Sequence, residues 1–510
     1  VRAHERARRA VALAVAGLLT TGLLAGCDAP GPSSSGSSGS SPSGPQGTAS
    51  AQPVWERCQA PEGGSAPGSA WRCATVDVPL DYAKPDGATL SVALIRKQAT
   101  DKSRRLGSML FNFGGPGGSG VGILPRAAVA YGRLNTRYDL VGFDPRGVAA
   151  SSGVRCRGDA EQEKAYREVD MTPDTPAEEA AFMDDGADFG AGCARLSGPV
   201  LAHVGTANAA RDMDAIRRAL GDRTLSYFGV SYGTELGGTY AHLFPEHVGR
   251  IVLDAVVDPT ADAVGHARNQ AIGFQRALDN YFTDRGEAPE AGTRRLEELL
   301  RRIDEEPLPT SSGRELNESL AVTGIVAPLY SKRNWPSLTA ALAEIGAEGT
   351  GDRLLALADS YNGRDAKGRY DTQSHSQRAI SCADTKARPT AEEARALLPE
   401  FRELSPVFGP FLAWDTAGWC AGWPVDGERD TPEASAPGAP PVLVVGTTGD
   451  PATPYEGARR MADELGEDVG VLLTNKGEGH GAYGESRCVT SLVDAYFLDG
   501  EVPAVGRTCP

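Results

Sequence analysis

Histidine is scarce: seven residues in a chain of 510. No two of them stand at the helical spacing of a metal-binding pair, which removes the usual signature of metal-assisted hydrolysis. Positive charge is also in deficit, with 51 Lys and Arg against 67 Asp and Glu and a formal net charge of −16. Such a surface repels phosphate backbones and anionic lipid, so nucleic acid and anionic membrane are poor partners. There is no C-x-x-C, which argues against a zinc ribbon or a thioredoxin-like function. The glycine-rich loop at 114–120 lacks the Lys-Ser/Thr of a phosphate-binding P-loop. No metal and no cofactor are expected.

What is present begins with an N-terminal targeting pattern. Arg2 to Arg9 is basic, and Ala10 to Leu24 is apolar but short for a membrane span. The run Leu24-Ala25-Gly26-Cys27 resembles the lipobox of bacterial lipoproteins, so residues 1–27 are expected to be a signal peptide with Cys27 as the acylated residue. Of residues 31–50, nine are Ser, five Gly and three Pro, which cannot build a core. Residues 28–54 therefore form a tether, and any membrane contact is expected only through the lipid anchor. The chain is then exported, to the cell surface or beyond. Eight cysteines remain: Cys58, Cys73, Cys156, Cys193, Cys382, Cys420, Cys488 and Cys509. An even number outside the cytosol favours disulfides, and pairing in sequence order (58–73, 156–193, 382–420, 488–509) is the expectation.

From about 108 to 255, short apolar runs alternate with helical patterns, which predicts a mostly parallel sheet. Residues 157–190 are acidic and poor in large apolar side chains, and are expected to form a surface excursion. Thr206 is expected to cap the following helix, and Asp144 with Arg146 to brace a loop as an ion pair. From about 260 to 430, helical segments are joined by polar loops and no strong strand is evident. Strand patterns resume at Val442 and again at Gly470. These shifts predict an α/β-hydrolase fold: a mostly parallel sheet flanked by helices, with a core in two parts, 55–260 and 436–510. A helical cap (261–435) is inserted before the strand that carries the acid.

The central stretch is Gly229-Val230-Ser231-Tyr232-Gly233, between a strand pattern and a helix pattern. A G-x-S-x-G in that context is a nucleophile elbow. The small residues let strand and helix approach, and the serine is lifted over a helix N-terminus whose free N–H groups suit a developing oxyanion. A serine hydroxyl needs a base, and the base needs an orienting acid. In chain order these are Ser231, Asp450 and His480. His480 alone among the histidines follows a late strand in a glycine-rich loop, whereas Asp254 and Asp258 also follow a strand and remain alternatives for the acid. The Tyr232 amide and that of Gly115, or a neighbouring glycine, are expected to hold the oxyanion. Glu235, one helical turn after Ser231, is a candidate for binding a substrate amine, or else a structural Glu.

Together the motifs FNFGGPGGSG, FDPRG, GVSYGTELGG, VLVVGTTGDPATP and GEGHGAY resemble the secreted tripeptidyl aminopeptidase group of bacterial α/β-hydrolases, related to proline iminopeptidases. The resemblance spans about 71–509. It implies a serine exopeptidase that takes peptides with free N-termini and uses the Ser231, Asp450, His480 triad. Two alternatives share the scaffold: a carboxylesterase with the same triad, and a surface binding protein without catalysis.

Overall fold

The chain is described here by a computed structural model covering residues 52–60 and 65–510. The basic and apolar N-terminal segment, Cys27 and the tether up to residue 51 lie outside the described residues.

The central strands form where runs of large apolar residues are bounded by Gly, Pro or Asp. In chain order the strands are β1 (Glu56–Arg57), β2 (Trp71–Pro79), β3 (Thr89–Lys97), β4 (Gly107–Asn112), β5 (Tyr138–Phe143), β6 (Leu225–Val230), β7 (Val248–Asp254), β8 (Leu308–Pro309), β9 (Glu315–Leu316), β10 (Val442–Gly449), β11 (Gly470–Glu478) and β12 (Thr508–Cys509). β8 and β9 make a separate two-stranded hairpin. The other ten form one sheet in the order β1-β2-β3-β5-β4-β6-β7-β10-β11-β12. β1, β2, β3 and β5 pair antiparallel in succession. From β5 to β12 every pairing is parallel.

Helices cover both faces, so the central strands are apolar on both sides, as parallel strands must be. Leu110, Val141 and Val444 pack on one side, with Met213 and Ile216 of the helix Thr206–Leu220 and Leu236 of the helix Tyr232–Leu243. Met109, Phe111, Leu140 and Val445 pack on the other, with Leu124 of the helix Gly120–Ala127 and Phe497 of the helix Arg487–Asp499. This alternation is the period of two expected of pleated strands. A mostly parallel sheet with this order and helices on both faces is the α/β-hydrolase fold.

Between β7 and β10 the chain folds into helices, here called the cap, with an apolar core of its own around Phe274, Phe282, Leu338, Phe401 and Trp414. Residues 157–190 depart from the expected surface excursion. They form the helix Asp159–Glu168 and most of the helix Pro176–Ser197. The second buries Phe182 against Trp414 of the cap and Phe189 against His375. The acidic composition is carried by the outer faces, while two aromatics decide the inner one.

Two further expectations are corrected. Asp144 and Arg146 do not pair with each other. Arg146 is fully buried and reaches Asp212 at 2.6 and 2.7 Å, while Asp144 accepts the Ser119 hydroxyl at 2.6 Å. Thr206 is not a cap either. The N-cap is Gly205, and the buried Thr206 hydroxyl bonds Asp384 and Tyr232. The structure pairs Cys58 with Cys73, Cys156 with Cys193, Cys382 with Cys420 and Cys488 with Cys509. Among the described residues no helix is long and apolar enough to cross a membrane.

Candidate active site

Ser231 sits between the end of β6 and the helix Tyr232–Leu243, at φ 58° and ψ −127°. A left-handed backbone at a residue with a Cβ costs on the order of 1 kcal/mol or more and needs surroundings that hold it. Those surroundings are visible. The Ser231 N–H donates to the Asp254 carbonyl at 3.1 Å, and the Thr234 hydroxyl donates to the Ser231 carbonyl at 2.7 Å. Glycine is required on either side. A Cβ on Gly229 would stand 2.3 Å from the Gly233 carbonyl oxygen, and one on Gly233 would stand 2.7 Å from the Asn112 carbonyl oxygen.

The glycine-rich loop after β4 lies against this turn. A Cβ on Gly114 would stand 2.7 Å from Ser231 Cβ and 3.2 Å from the Tyr232 nitrogen. Thus Gly114, the neighbour of Gly115, makes the direct approach to the serine. Its own N–H is spent on Asn112 Oδ1 at 2.9 Å. The amides of Gly115 and Tyr232 have no acceptor among the described residues, which leaves both available to an anion. The cap covers the far side of the loop: Gln377, on the helix Gln373–Asp384, donates to the Gly115 carbonyl at 3.4 Å.

Asp450 follows β10 directly and is fully buried. The amides of Ala452 and Thr453 donate to its Oδ1 at 3.0 and 2.9 Å, which fixes the orientation of the carboxylate. His480 Nδ1–H donates to Asp450 Oδ1 at 2.9 Å, with Oδ2 at 3.1 Å. Burial presses the imidazolium towards deprotonation, but the charge and hydrogen bond of Asp450, with the charge of Asp254, outweigh it and raise the His480 pKa above its ordinary value. The cap holds this loop as well. Tyr330 accepts the His480 N–H through its carbonyl at 2.8 Å and sets its ring edge-on to the imidazole at 5.3 Å.

Asp258, an alternative for the acid, is engaged by Arg460 and Asn269. Asp254, the other, bonds the loop that follows His480 through the amides of Ala482 and Tyr483. Glu235 is drawn into an ion pair with Arg429 at 2.8 Å. Burial pushes its pKa up to about 7 against the pull of that cation. A carboxylate so occupied is a poor anchor for an incoming amine.

Two residues escaped sequence reasoning. Thr453 brings its hydroxyl within 3.3 Å of His480 Nδ1, a contact that only its position three residues after Asp450 hints at. Asp415, on the helix Gly409–Gly418 of the cap, has a half-buried carboxylate with no hydrogen-bond or ion-pair partner among the described residues. Its electrostatic neighbours are Arg378 and Tyr361. Arg378 adjoins Gln377, which touches the glycine loop, and the Tyr361 hydroxyl lies 3.1 Å from that of Tyr330, which packs on His480. Burial pushes the Asp415 carboxyl up to about 6. Elsewhere in the chain, Asp170, Asp304 and Glu318 bring carboxylate oxygens within 4.8 Å of one another.

The fold agrees with comparison to known proteins. A family model described as TAP-like protein matches residues 405–509. Over 492 residues the chain is 38% identical to serine protease Hip1 of Mycobacterium bovis, covering 90% of this chain and 91% of that protein. It is 38% identical over 476 residues to a Mycobacterium tuberculosis protein named carboxylesterase B, covering 90% of each. It is 32% identical over 480 residues to tripeptidyl aminopeptidase of Streptomyces lividans, covering 89% of this chain and 86% of that one. Identity at that level across nine tenths of the chain, on an α/β-hydrolase sheet, makes this protein a serine hydrolase of the tripeptidyl-aminopeptidase-like family.

Proposed function

We propose that this serine hydrolase is an exopeptidase that releases short peptides, tripeptides foremost, from free N-termini through an acyl-enzyme. Ser231 Oγ attacks the carbonyl carbon, and its proton passes to His480. The amides of Tyr232 and Gly115 receive the oxyanion, and Asp450 holds the imidazolium. His480 then returns the proton to the leaving amine, and water takes the place of the amine for deacylation.

The observation that carries the peptidase reading is Asp415. A half-buried carboxylate with no hydrogen-bond or ion-pair partner among the described residues is free to receive a cation, and its partial burial strengthens such a pairing. The α-ammonium of a peptide supplies that cation. An ester reading is favoured by the relative named carboxylesterase B and needs no such anchor.

The test compares a free-amine tripeptide anilide, its N-acetylated form and a simple aryl ester. Wild type should cleave only the first anilide, and Ser231→Ala should cleave neither anilide. Asp415→Asn should raise KM for the free-amine anilide about tenfold or more while leaving ester turnover unchanged, a loss in the range of one buried charged contact. Ester turnover without anilide cleavage overturns the peptidase reading.

We further propose that the chain is exported and anchored through an acylated Cys27, a reading supported by the four disulfides. Incorporation of a labelled fatty acid should be lost in Cys27→Ala. Equal labelling of both proteins overturns it.

A further inference from the structure

Asp254 is the last residue of β7 and is 2% exposed. It stands in register with Val230 of β6 on one side and Val445 of β10 on the other. Its neighbours in the sheet are thus the strand that delivers Ser231 and the strand that delivers Asp450. No cation meets its carboxylate among the described residues. Instead Oδ1 and Oδ2 accept the Ala482 N–H at 3.1 Å each, and Oδ2 accepts the Tyr483 N–H at 2.9 Å. Its main-chain oxygen accepts the Ser231 N–H at 3.1 Å. The next residue, Ala255, is held at φ 60°, a left-handed conformation unusual for a residue with a Cβ. A buried carboxylate held only by backbone amides is a costly choice for packing alone, since an apolar side chain of that size would serve.

We propose that Asp254 is a positioning residue: its carbonyl fixes the nucleophile and its carboxylate fixes the loop bearing the base, so one residue sets the spacing of Ser231 and His480. The proposal rests on the roles given to those two residues above. It adds that the pair is registered through β7 and not only through the Asp450 hydrogen bond. Asp254 also acts on His480 through its charge. The titratable groups that face His480 are Asp450 from the end of β10, Asp254 from the end of β7 and Tyr330 from the cap. Of these, the two carboxylates stabilise the imidazolium.

The test uses the full chain and a fluorophosphonate, which needs only the nucleophile and its base. Ser231 Oγ bonds to phosphorus, fluoride leaves, and His480 takes the hydroxyl proton. Wild type should react at Ser231 and Ser231→Ala should not; failure of that control overturns the triad and not the role of Asp254. Asp254→Asn should react on the order of 10²-fold more slowly, the loss expected from a misplacement of about 1 Å. On any substrate that wild type hydrolyses, the loss should fall on kcat with KM within about threefold, and the acid limb should move to lower pH because an anion has left His480. A merely structural role would lower the thermal midpoint without moving that limb. Ala482→Pro removes one donor while leaving the buried carboxylate in place, and serves if Asp254→Asn does not fold. Phosphonylation within twofold of wild type in whichever variant folds overturns the proposal, and so does an unmoved acid limb in Asp254→Asn.

Discussion

His480 is held by two opposing influences, and its titration governs the pH dependence of proton transfer in the proposed mechanism. Burial favours the neutral ring, while Asp450 and Asp254 favour the cation, and the result lies above the ordinary value of 6.5. In the proposed mechanism the neutral form is the base, so kcat should fall as pH drops through this raised value. The acid limb of the profile is expected above pH 6.5. Stability runs the other way. A raised histidine pKa contributes stability that is fully present below 6.5 and is lost as pH rises through the folded value. Thermal midpoints and activities measured across one pH series should therefore diverge over that interval, and parallel curves would contradict this account. Asp450→Asn should lower kcat on the order of 10⁴-fold, because the amide favours the wrong tautomer of His480. Thr453→Val, which removes only the hydroxyl near Nδ1, should cost far less, about tenfold at most. Steady-state kinetics on one substrate check both.

At the scale of elements, the elbow was legible because its logic is local. Gly229, Ser231 and Gly233 lie within five residues, and the clashes that a Cβ would cause follow from one tight turn. Strand identities were legible for the same reason: Met109 to Phe111 and Val442 to Val445 are apolar without interruption. What could not be read were the partners of buried charges. Arg146 meets a carboxylate 66 residues away and Arg429 meets one 194 residues away. The sequence neighbour Asp144 offered a plausible but wrong pairing for Arg146. Thr206 shows the same limit, since a hydroxyl at a helix start reads as a cap until the tertiary partner is known. Its bond to the buried Asp384 carboxylate measures 2.6 Å. Thr206→Val should destabilise the protein by about 1–3 kcal/mol through loss of that donor. Urea unfolding with an unchanged slope would give the value directly.

Across the whole molecule the four disulfides close segments of 15, 37, 38 and 21 residues. In the chain-entropy account each loop contributes about 3–4 kcal/mol by restricting the unfolded state. Replacing Cys382 and Cys420 together with Ser should lower the thermal midpoint, and activity at low temperature should fall with it, because that bond lies on the helix whose Gln377 touches the glycine loop. An unchanged midpoint would show that the cap core around Phe401 and Trp414 suffices alone. The sheet also places β7 beside β10, although the entire cap separates them in the chain. During synthesis, the strand that ends at Asp254 waits with one edge unpaired while residues 255 to 441 are made. Nucleophile and base lie on opposite sides of that delay, so a growing chain holds the serine long before it holds the histidine. On the proposed mechanism, any product of interrupted translation or early cleavage that ends before residue 480 should be inert, so that the cell that makes this hydrolase meets its activity only once the last strands are in place.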